Sequence, residues 1–126
     1  MEKQTPELNL QAYAHLGDAV YELFVREKIV YLTPKPNKMH KYTTSLVCAA
    51  YQAELLNKLL PELTEDEQEL IRRARNLSLT QNKKTNQLIH RQATALEVLI
   101  GYLYINDNSR YSDILEKISA NFDLVL

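Results

Sequence analysis

The sequence contains a single cysteine, two glycines, four prolines and no long apolar run. Cys48 alone cannot form an internal disulfide, and no group of Cys and His residues has the spacing of a zinc site. We therefore predict that Cys48 is a small core residue. No apolar stretch approaches the roughly 18 residues that a membrane helix needs, and no secretory leader is visible. These absences predict a cytoplasmic protein.

The charges are nearly balanced overall but are unevenly distributed along the chain. The formal net charge of -1 does not by itself indicate a nucleic-acid-binding protein. However, no acidic residue occurs between Glu69 and Glu97 or between Glu27 and Glu54. Both windows are basic, which favours a polyanionic partner over an ordinary solvated surface. The basic side chains in these windows are Lys28, Lys35, Lys38, Lys41, Arg72, Arg73, Arg75, Lys83, Lys84 and Arg91, with His40 beside them.

The apolar pattern predicts an all-α fold of about five to seven helices, formed by residues 1–126 as a single domain. Pro34 and Pro36 separate the first two helices, and Asn37 is a candidate N-cap for the second. Thr64 and Glu67 form the pattern of a capping box. We predict helices at about 8–31, 37–60, 64–76 and 88–105, a loop from Leu77 to Asn86, a turn at 106–109, and a last helix ending near residue 121.

Two carboxylates interrupt apolar helix segments and need an explanation. Glu97 is the one ionisable carboxylate within residues 93–104, the most apolar stretch, and Asp18 lies among Leu16, Gly17 and Ala19. A buried, unpaired charge costs several kcal/mol. One hypothesis is that the two helices cross and that both carboxylates bind a hard divalent cation, which would serve phosphodiester chemistry. The other is a buried ion pair with His15, Arg91 or an arginine of the basic loop.

Several other polar or aromatic residues are weaker candidates for a role at this site. Glu22 lies one helical turn after Asp18, so the two carboxylates share a face and repel each other unless a cation is present. Glu22 is thus a candidate for an outer role at the site. His15 and His40 are possible acid-base groups, although a structural or phosphate-contacting role fits them better. Tyr13, Tyr21, Tyr102 and Tyr104 fall in the proposed core stripes, which indicates packing rather than base stacking.

Four blocks of sequence resemble the ribonuclease III family. The run His15-Leu16-Gly17-Asp18-Ala19-Val20-Tyr21-Glu22 looks like the family's LGDAV signature. The run Glu97-Val98-Leu99-Ile100-Gly101-Tyr102-Leu103-Tyr104 is similar to its second acidic helix. Pro36-Asn37-Lys38-Met39-His40-Lys41 and Arg72-Arg73-Ala74-Arg75-Asn76 resemble the Mini-III branch. The resemblance covers nearly the whole chain.

The resemblance implies an all-helical homodimer that cleaves double-stranded RNA and leaves 5'-phosphate and 3'-hydroxyl ends. By position, Asp18 and Glu97 would be the catalytic residues and the ligands of Mg²⁺, and they would orient or activate the attacking water. The Mini-III branch lacks a separate double-stranded-RNA-binding domain. The role of this branch is maturation of the large-subunit (23S) ribosomal RNA precursor with assistance from a ribosomal protein, and the resemblance implies the same role here.

The sequence also departs from the pattern of the longer family members. Where they carry further carboxylates, this chain has Gln11, Ala14 and Thr94. Such reductions are typical of the Mini-III branch, and they leave the number of metal ions open. Thr94, like Glu22, is a candidate for an outer position at the site. The predicted loop from Leu77 to Asn86 lacks the proline and glycine expected in that branch.

Without an accessory domain, affinity for an RNA duplex must come from the catalytic domain itself. A-form RNA is recognised mainly through its shape, phosphates and 2'-hydroxyls, for which Arg, Lys, Asn and Gln side chains suffice. The candidate RNA-binding residues are Arg72, Arg73, Arg75, Asn76, Lys83, Lys84, Arg91, His40 and Lys41. Two alternatives are an inactive RNA-binding or assembly dimer of the same fold and a purely structural helical dimer whose buried acids pair with arginines.

Overall fold

Six α-helices and one short 3-10 turn form the parts of the chain that the structure describes, so the predicted all-α fold is confirmed. The structure is a computed structural model that describes residues 8–77 and 87–122. Most of the predicted loop from Leu77 to Asn86 therefore lies outside the described residues. The helices are α1 (Leu10–Val30), α2 (Pro36–Val47), α3 (Ala49–Leu59), α4 (Glu65–Arg75), α5 (Gln87–Asn106) and α6 (Asn108–Ser119), with the 3-10 turn at Leu60–Glu62.

Local side-chain chemistry sets where several helices begin. The predicted capping box at α4 is present: the Thr64 hydroxyl accepts from the Glu67 backbone N–H, and the Glu67 carboxylate accepts from the Thr64 N–H. The prediction that Asn37 caps α2 was wrong. That helix begins at Pro36, preceded by Lys35 in an extended conformation. Proline suits the first helical position because its fixed φ is helical and its missing N–H would be unpaired there anyway.

The single helix predicted from about residue 37 to 60 is in fact two helices that meet at Cys48. Cys48 is extended, with φ -69° and ψ 157°, and it ends α2 and begins α3. It is also exposed, so the prediction that it is a core residue was wrong. The break has no local signal, because residues 37–59 contain neither proline nor glycine. At the break, the Tyr21 hydroxyl of α1 and the Gln52 amide of α3 bind carbonyl groups at the end of α2.

The central helix of the fold is α5, which packs against α1, α3, α4 and α6. Its middle is buried on most sides, as predicted, but its last turns are not. Tyr102 and Tyr104 are 37% and 45% exposed, so the prediction that they pack in the core was wrong, whereas Tyr13 and Tyr21 are buried. At this end of α5, the ring of Tyr102 packs edge-on against Tyr13, and the ring of Tyr104 packs edge-on against Tyr111. No described helix has an apolar stretch that could cross a membrane.

Candidate active site

The crossing of α1 and α5 depends on two glycines that face each other. A Cβ atom on Gly17 would lie 1.8 Å from the Glu97 carbonyl oxygen, and one on Gly101 would lie 2.1 Å from the Tyr13 carbonyl oxygen. Any side chain at either position would therefore push the two backbones apart. Because Asp18 follows Gly17 directly and Glu97 lies one turn before Gly101, this close approach places both acidic residues at the crossing point.

Across this crossing, the carboxyl groups of Asp18 and Glu97 lie close enough for the charge of Asp18 to act on Glu97. Asp18 is exposed at the surface of α1, whereas Glu97 is only partly accessible on α5. Burial, followed by the neighbouring Asp18 charge, raises the pKa of Glu97 to about 7, although a hydrogen bond from Gln52 opposes the rise. Two carboxylates held together in this way can share a cation.

Neither acid is neutralised by a protein cation among residues 8–77 and 87–122. The ion pairs found there join other residues, and the one side-chain hydrogen bond to Glu97 is the 3.3 Å bond from Gln52 Nε2. The alternative prediction of a buried ion pair with His15 or Arg91 is therefore not what the described residues show. His15 is exposed beside Asp18 in a shallow surface groove that Ala19 and Leu23 also line.

The free carbonyl groups at the end of α2 are bound by two side chains that sequence analysis missed. The Tyr21 hydroxyl donates to the Leu46 carbonyl oxygen at 2.6 Å, and Gln52 Nε2 donates to the Val47 carbonyl oxygen at 3.0 Å. Burial raises the pKa of Tyr21 above its ordinary value, so this phenol stays a donor. The available sequence signal was a glutamine on the otherwise apolar buried face of α3.

The donor set fits a hard divalent cation. No group of three or more Asp, Glu, His or Cys side chains that could hold a metal occurs in the described part of the chain. The two carboxylates of Asp18 and Glu97 are the ligands that this site offers, and Gln52 Oε1, on the amide that contacts Glu97, is buried without a hydrogen-bond partner. Carboxylate oxygens with water completing the shell are the usual ligands of Mg²⁺ in proteins.

The weaker candidates at the site occupy different positions. The carboxylate of Glu22 is held by Arg26, with nitrogen to oxygen distances of 2.6 and 2.9 Å. It therefore has a partner of its own, on the groove that also contains Asp18. Thr94 is half-buried one turn before Glu97 on α5.

The predicted RNA-binding residues occupy two regions of the described structure. His40 and Lys41 are exposed on α2, which packs against α1. The others lie at the end of α4 and the start of α5, and of these Arg72 is paired with Glu69 at 2.7 Å. Lys83 and Lys84 lie outside the described residues. The remaining members of the second region are Arg73, Arg75, Asn76 and Arg91.

Comparison with known proteins gives a consistent family. The model of the Ribonuclease III domain matches residues 11–108, which include both Asp18 and Glu97. The chain is 38% identical over 104 residues to mini-ribonuclease 3 of Synechocystis sp., covering 82% of this chain and 73% of that protein. It is 42% identical over 106 residues to mini-ribonuclease 3 of Thermoanaerobacter sp., covering 82% of this chain and 75% of that one.

A solved structure has a similar fold. The crystal structure of a protein from Fusobacterium nucleatum superposes with a TM-score of 0.79, at 26% sequence identity. The match covers 94% of this chain and 95% of the other. The similarity therefore extends over nearly the whole helical fold.

Proposed function

The chain belongs to the ribonuclease III family of endoribonucleases, and we propose that Asp18 and Glu97 form its catalytic centre. The observation that carries this proposal is the meeting of the two carboxylates at the α1–α5 crossing without a protein cation among the described residues. Two carboxylates held together, with Glu97 partly buried, destabilise the fold unless one is protonated or a cation is bound, so their juxtaposition favours a functional role. The family match spans both residues.

The family is metal-dependent, and we propose that the metal here is Mg²⁺, held by Asp18 and Glu97. When bound, this ion supplies activation of a water molecule and neutralisation of charge on the phosphodiester. The two carboxylates would hold and orient the water for attack on the phosphorus, and cleavage leaves a 5'-phosphate and a 3'-hydroxyl. Glu22 and Thr94 would act only indirectly, because Arg26 already binds Glu22 and Thr94 lies a turn away from Glu97.

Ribonuclease III enzymes act on double-stranded RNA, and we propose that the basic residues of α2, α4 and α5 contact its phosphates. Most of the described candidates are exposed basic side chains, which suit phosphate contacts, and Asn76 offers an exposed amide. The ion pair of Arg72 with Glu69 is solvent-exposed, so it can open at little cost when RNA binds. The full set is His40, Lys41, Arg72, Arg73, Arg75, Asn76 and Arg91, with Lys83 and Lys84 of the intervening segment.

We further propose that the protein acts as a homodimer on the precursor of 23S ribosomal RNA, with a ribosomal protein assisting. The family is usually dimeric, and the resemblance to the Mini-III branch supports the substrate and the helper. The surface supports a self-association site as well. Val30, Tyr31 and Leu32 are consecutive, large and apolar, with exposures of 52%, 89% and 55%, and Leu23 is 60% exposed two turns earlier on α1.

The test is cleavage of a labelled RNA duplex by the purified protein, with and without Mg²⁺. We expect discrete Mg²⁺-dependent products with the unaltered protein. The Asp18→Asn and Glu97→Gln variants should each lower the rate by more than about 100-fold, the upper end of the effect of losing an outer-shell partner. Glu54→Gln is the matched control, because Glu54 is an exposed carboxylate on α3. Duplex binding without cleavage in every variant and in the unaltered protein would instead support the inactive assembly dimer.

A further inference from the structure

The side chain of Gln52 connects the break between α2 and α3 to the candidate active site. It is 3% exposed, among the apolar side chains that α3 buries. Its Nε2 donates to the Val47 carbonyl oxygen at 3.0 Å and to Glu97 Oε2 at 3.3 Å. One amide group thus joins the end of α2 to a carboxylate on α5.

These two contacts fix the orientation of the amide. Both neighbours of Nε2 are hydrogen-bond acceptors, a backbone carbonyl and a carboxylate. A flipped amide would place Oε1 against both of them and would lose both hydrogen bonds. The Val47 carbonyl is held in turn by the geometry of the break at Cys48. Gln52 is therefore a fixed hydrogen-bond donor to one oxygen of the Glu97 carboxylate.

We propose that Gln52 is a positioning residue, which holds the Glu97 carboxylate in the orientation that binds the divalent cation. The inference rests on the proposed function, since it gives Gln52 a role only if Glu97 is a metal ligand. Side chains that hydrogen-bond metal ligands orient them, and losing such a partner typically costs 10- to 100-fold in metal affinity or activity. In this role Gln52 contacts neither the RNA nor the reacting atoms.

A purely structural role for Gln52 makes a different prediction. Gln52 Oε1 is buried without a hydrogen-bond partner, which is unfavourable for folding. An apolar side chain of similar size would remove this cost at a site surrounded by apolar residues. Replacement of Gln52 also removes its hydrogen bond to the Val47 carbonyl oxygen, so the melting temperature can change under either role. If Gln52 served folding alone, its replacement would leave metal binding by the folded protein intact. If it positions Glu97, metal binding falls whatever the change in melting temperature.

The experiment compares Gln52→Leu with Gln92→Leu. Gln92 provides a matched control, because its amide also links α5 to α3. Its Nε2 donates to Asn57 Oδ1 at 3.3 Å and makes no hydrogen bond to Glu97. Mn²⁺ binding is measured by isothermal titration calorimetry, and folding by thermal melting in EDTA. We expect Gln52→Leu to bind Mn²⁺ about 10- to 100-fold more weakly than the unaltered protein, and Gln92→Leu to bind it equally well. In cleavage assays at fixed Mg²⁺, kcat should fall while KM for the duplex stays constant.

The possible outcomes separate this inference from the proposed function. Mn²⁺ binding that is lost in Glu97→Gln but unchanged in Gln52→Leu would overturn the role of Gln52 alone. Absence of Mn²⁺ binding by the unaltered protein, or equal binding by Glu97→Gln, would overturn the metal site and this inference with it. Gln52→Met, with an unbranched side chain of similar length, provides a second variant if Gln52→Leu does not fold.

Discussion

Among the carboxyl groups of the described residues, that of Glu97 has the most strongly raised pKa. Burial and the adjacent Asp18 raise its pKa from 4.5 to about 7. In the metal-free protein, the native state therefore keeps this proton over a pH range in which the unfolded chain has lost it. Stability falls as the pH rises from about 4.5 to about 7, and the penalty is complete above that range.

We predict that Glu97→Gln stabilises the metal-free protein at pH 8. The amide removes the buried charge and its repulsion with Asp18, while its oxygen can still accept from Gln52. The pKa difference between 4.5 and about 7 sets an upper bound of about 3 kcal/mol on the gain in the free energy of unfolding. Urea unfolding in EDTA measures it. The gain in stability should disappear near pH 4. The control variant Glu54→Gln, at an exposed carboxylate, should show no gain at either pH. Equal stability of Glu97→Gln and the unaltered protein at pH 8 would contradict the raised pKa of Glu97.

The same carboxyl group predicts how cleavage depends on pH. A proton and the metal compete for Glu97, so the Mg²⁺ concentration at half-maximal rate should rise as the pH falls below about 7. One competing proton with this pKa predicts about tenfold more Mg²⁺ at pH 6 than at pH 8. The measurement is a Mg²⁺ titration of the initial cleavage rate at pH 6, 7 and 8. Identical midpoints at all three values would show that Glu97 does not take up a proton in competition with the metal.

At the scale of helices, the close crossing of α1 and α5 brings Asp18 and Glu97 of the candidate active site together. Glycine usually weakens a helix, and replacing it with alanine in an exposed helix stabilises the protein. Gly17 and Gly101 reverse this expectation, because a Cβ atom at either position would overlap a carbonyl oxygen of the opposite helix. The two glycines therefore serve the approach of the helices rather than the flexibility of either one.

We predict that Gly17→Ala lowers both stability and activity. The new methyl group must push α1 away from α5, which separates Asp18 from Glu97 and loosens the core at the crossing. Overpacking of this kind costs about 1–3 kcal/mol, and the directness of the overlap points to the upper end. Denaturant unfolding and the duplex cleavage rate report the two effects.

The control for this prediction is Glu27→Ala, at an exposed position of the same helix. It should leave stability within about 0.5 kcal/mol, as surface substitutions generally do. If Gly17→Ala were as stable as Glu27→Ala and cleaved RNA at the normal rate, a close approach of α1 and α5 at Gly17 would not be needed for stability or for cleavage.

At the scale of the whole molecule, the net charge of -1 conceals two basic windows of sequence, which we propose contact RNA. We predict that Lys41→Ala and Arg91→Ala each weaken duplex binding to a similar degree across RNA sequences. Each loss of a phosphate contact should reduce the slope of log K against log salt concentration by about one per subunit. Fluorescence anisotropy at several KCl concentrations, in the Glu97→Gln background to prevent cleavage, measures both quantities.

Lys58→Ala provides the comparison, because Lys58 is exposed on α3 between Glu54 and Glu62, outside the two acid-free windows. It should change neither the affinity nor the slope. If all three variants behaved alike, the affinity for RNA would come from general surface charge and not from the two basic windows.

The sequence by itself determined the helical class, the capping box at Thr64 and the apolar surroundings of Glu97, because these depend on residues near one another in the chain. The expectation that Asp18 is also buried was wrong, since the structure places it at the surface of α1. Only the tertiary structure decided the break at Cys48, the exposure of Tyr102 and Tyr104, and the contact of Gln52 with Glu97. The hydrogen bond of Tyr21 to the Leu46 carbonyl, the packing of Tyr102 on Tyr13 and the contact of Gln52 with Glu97 each join groups far apart in sequence. Such contacts form only once the helices have packed, so no local pattern encodes them.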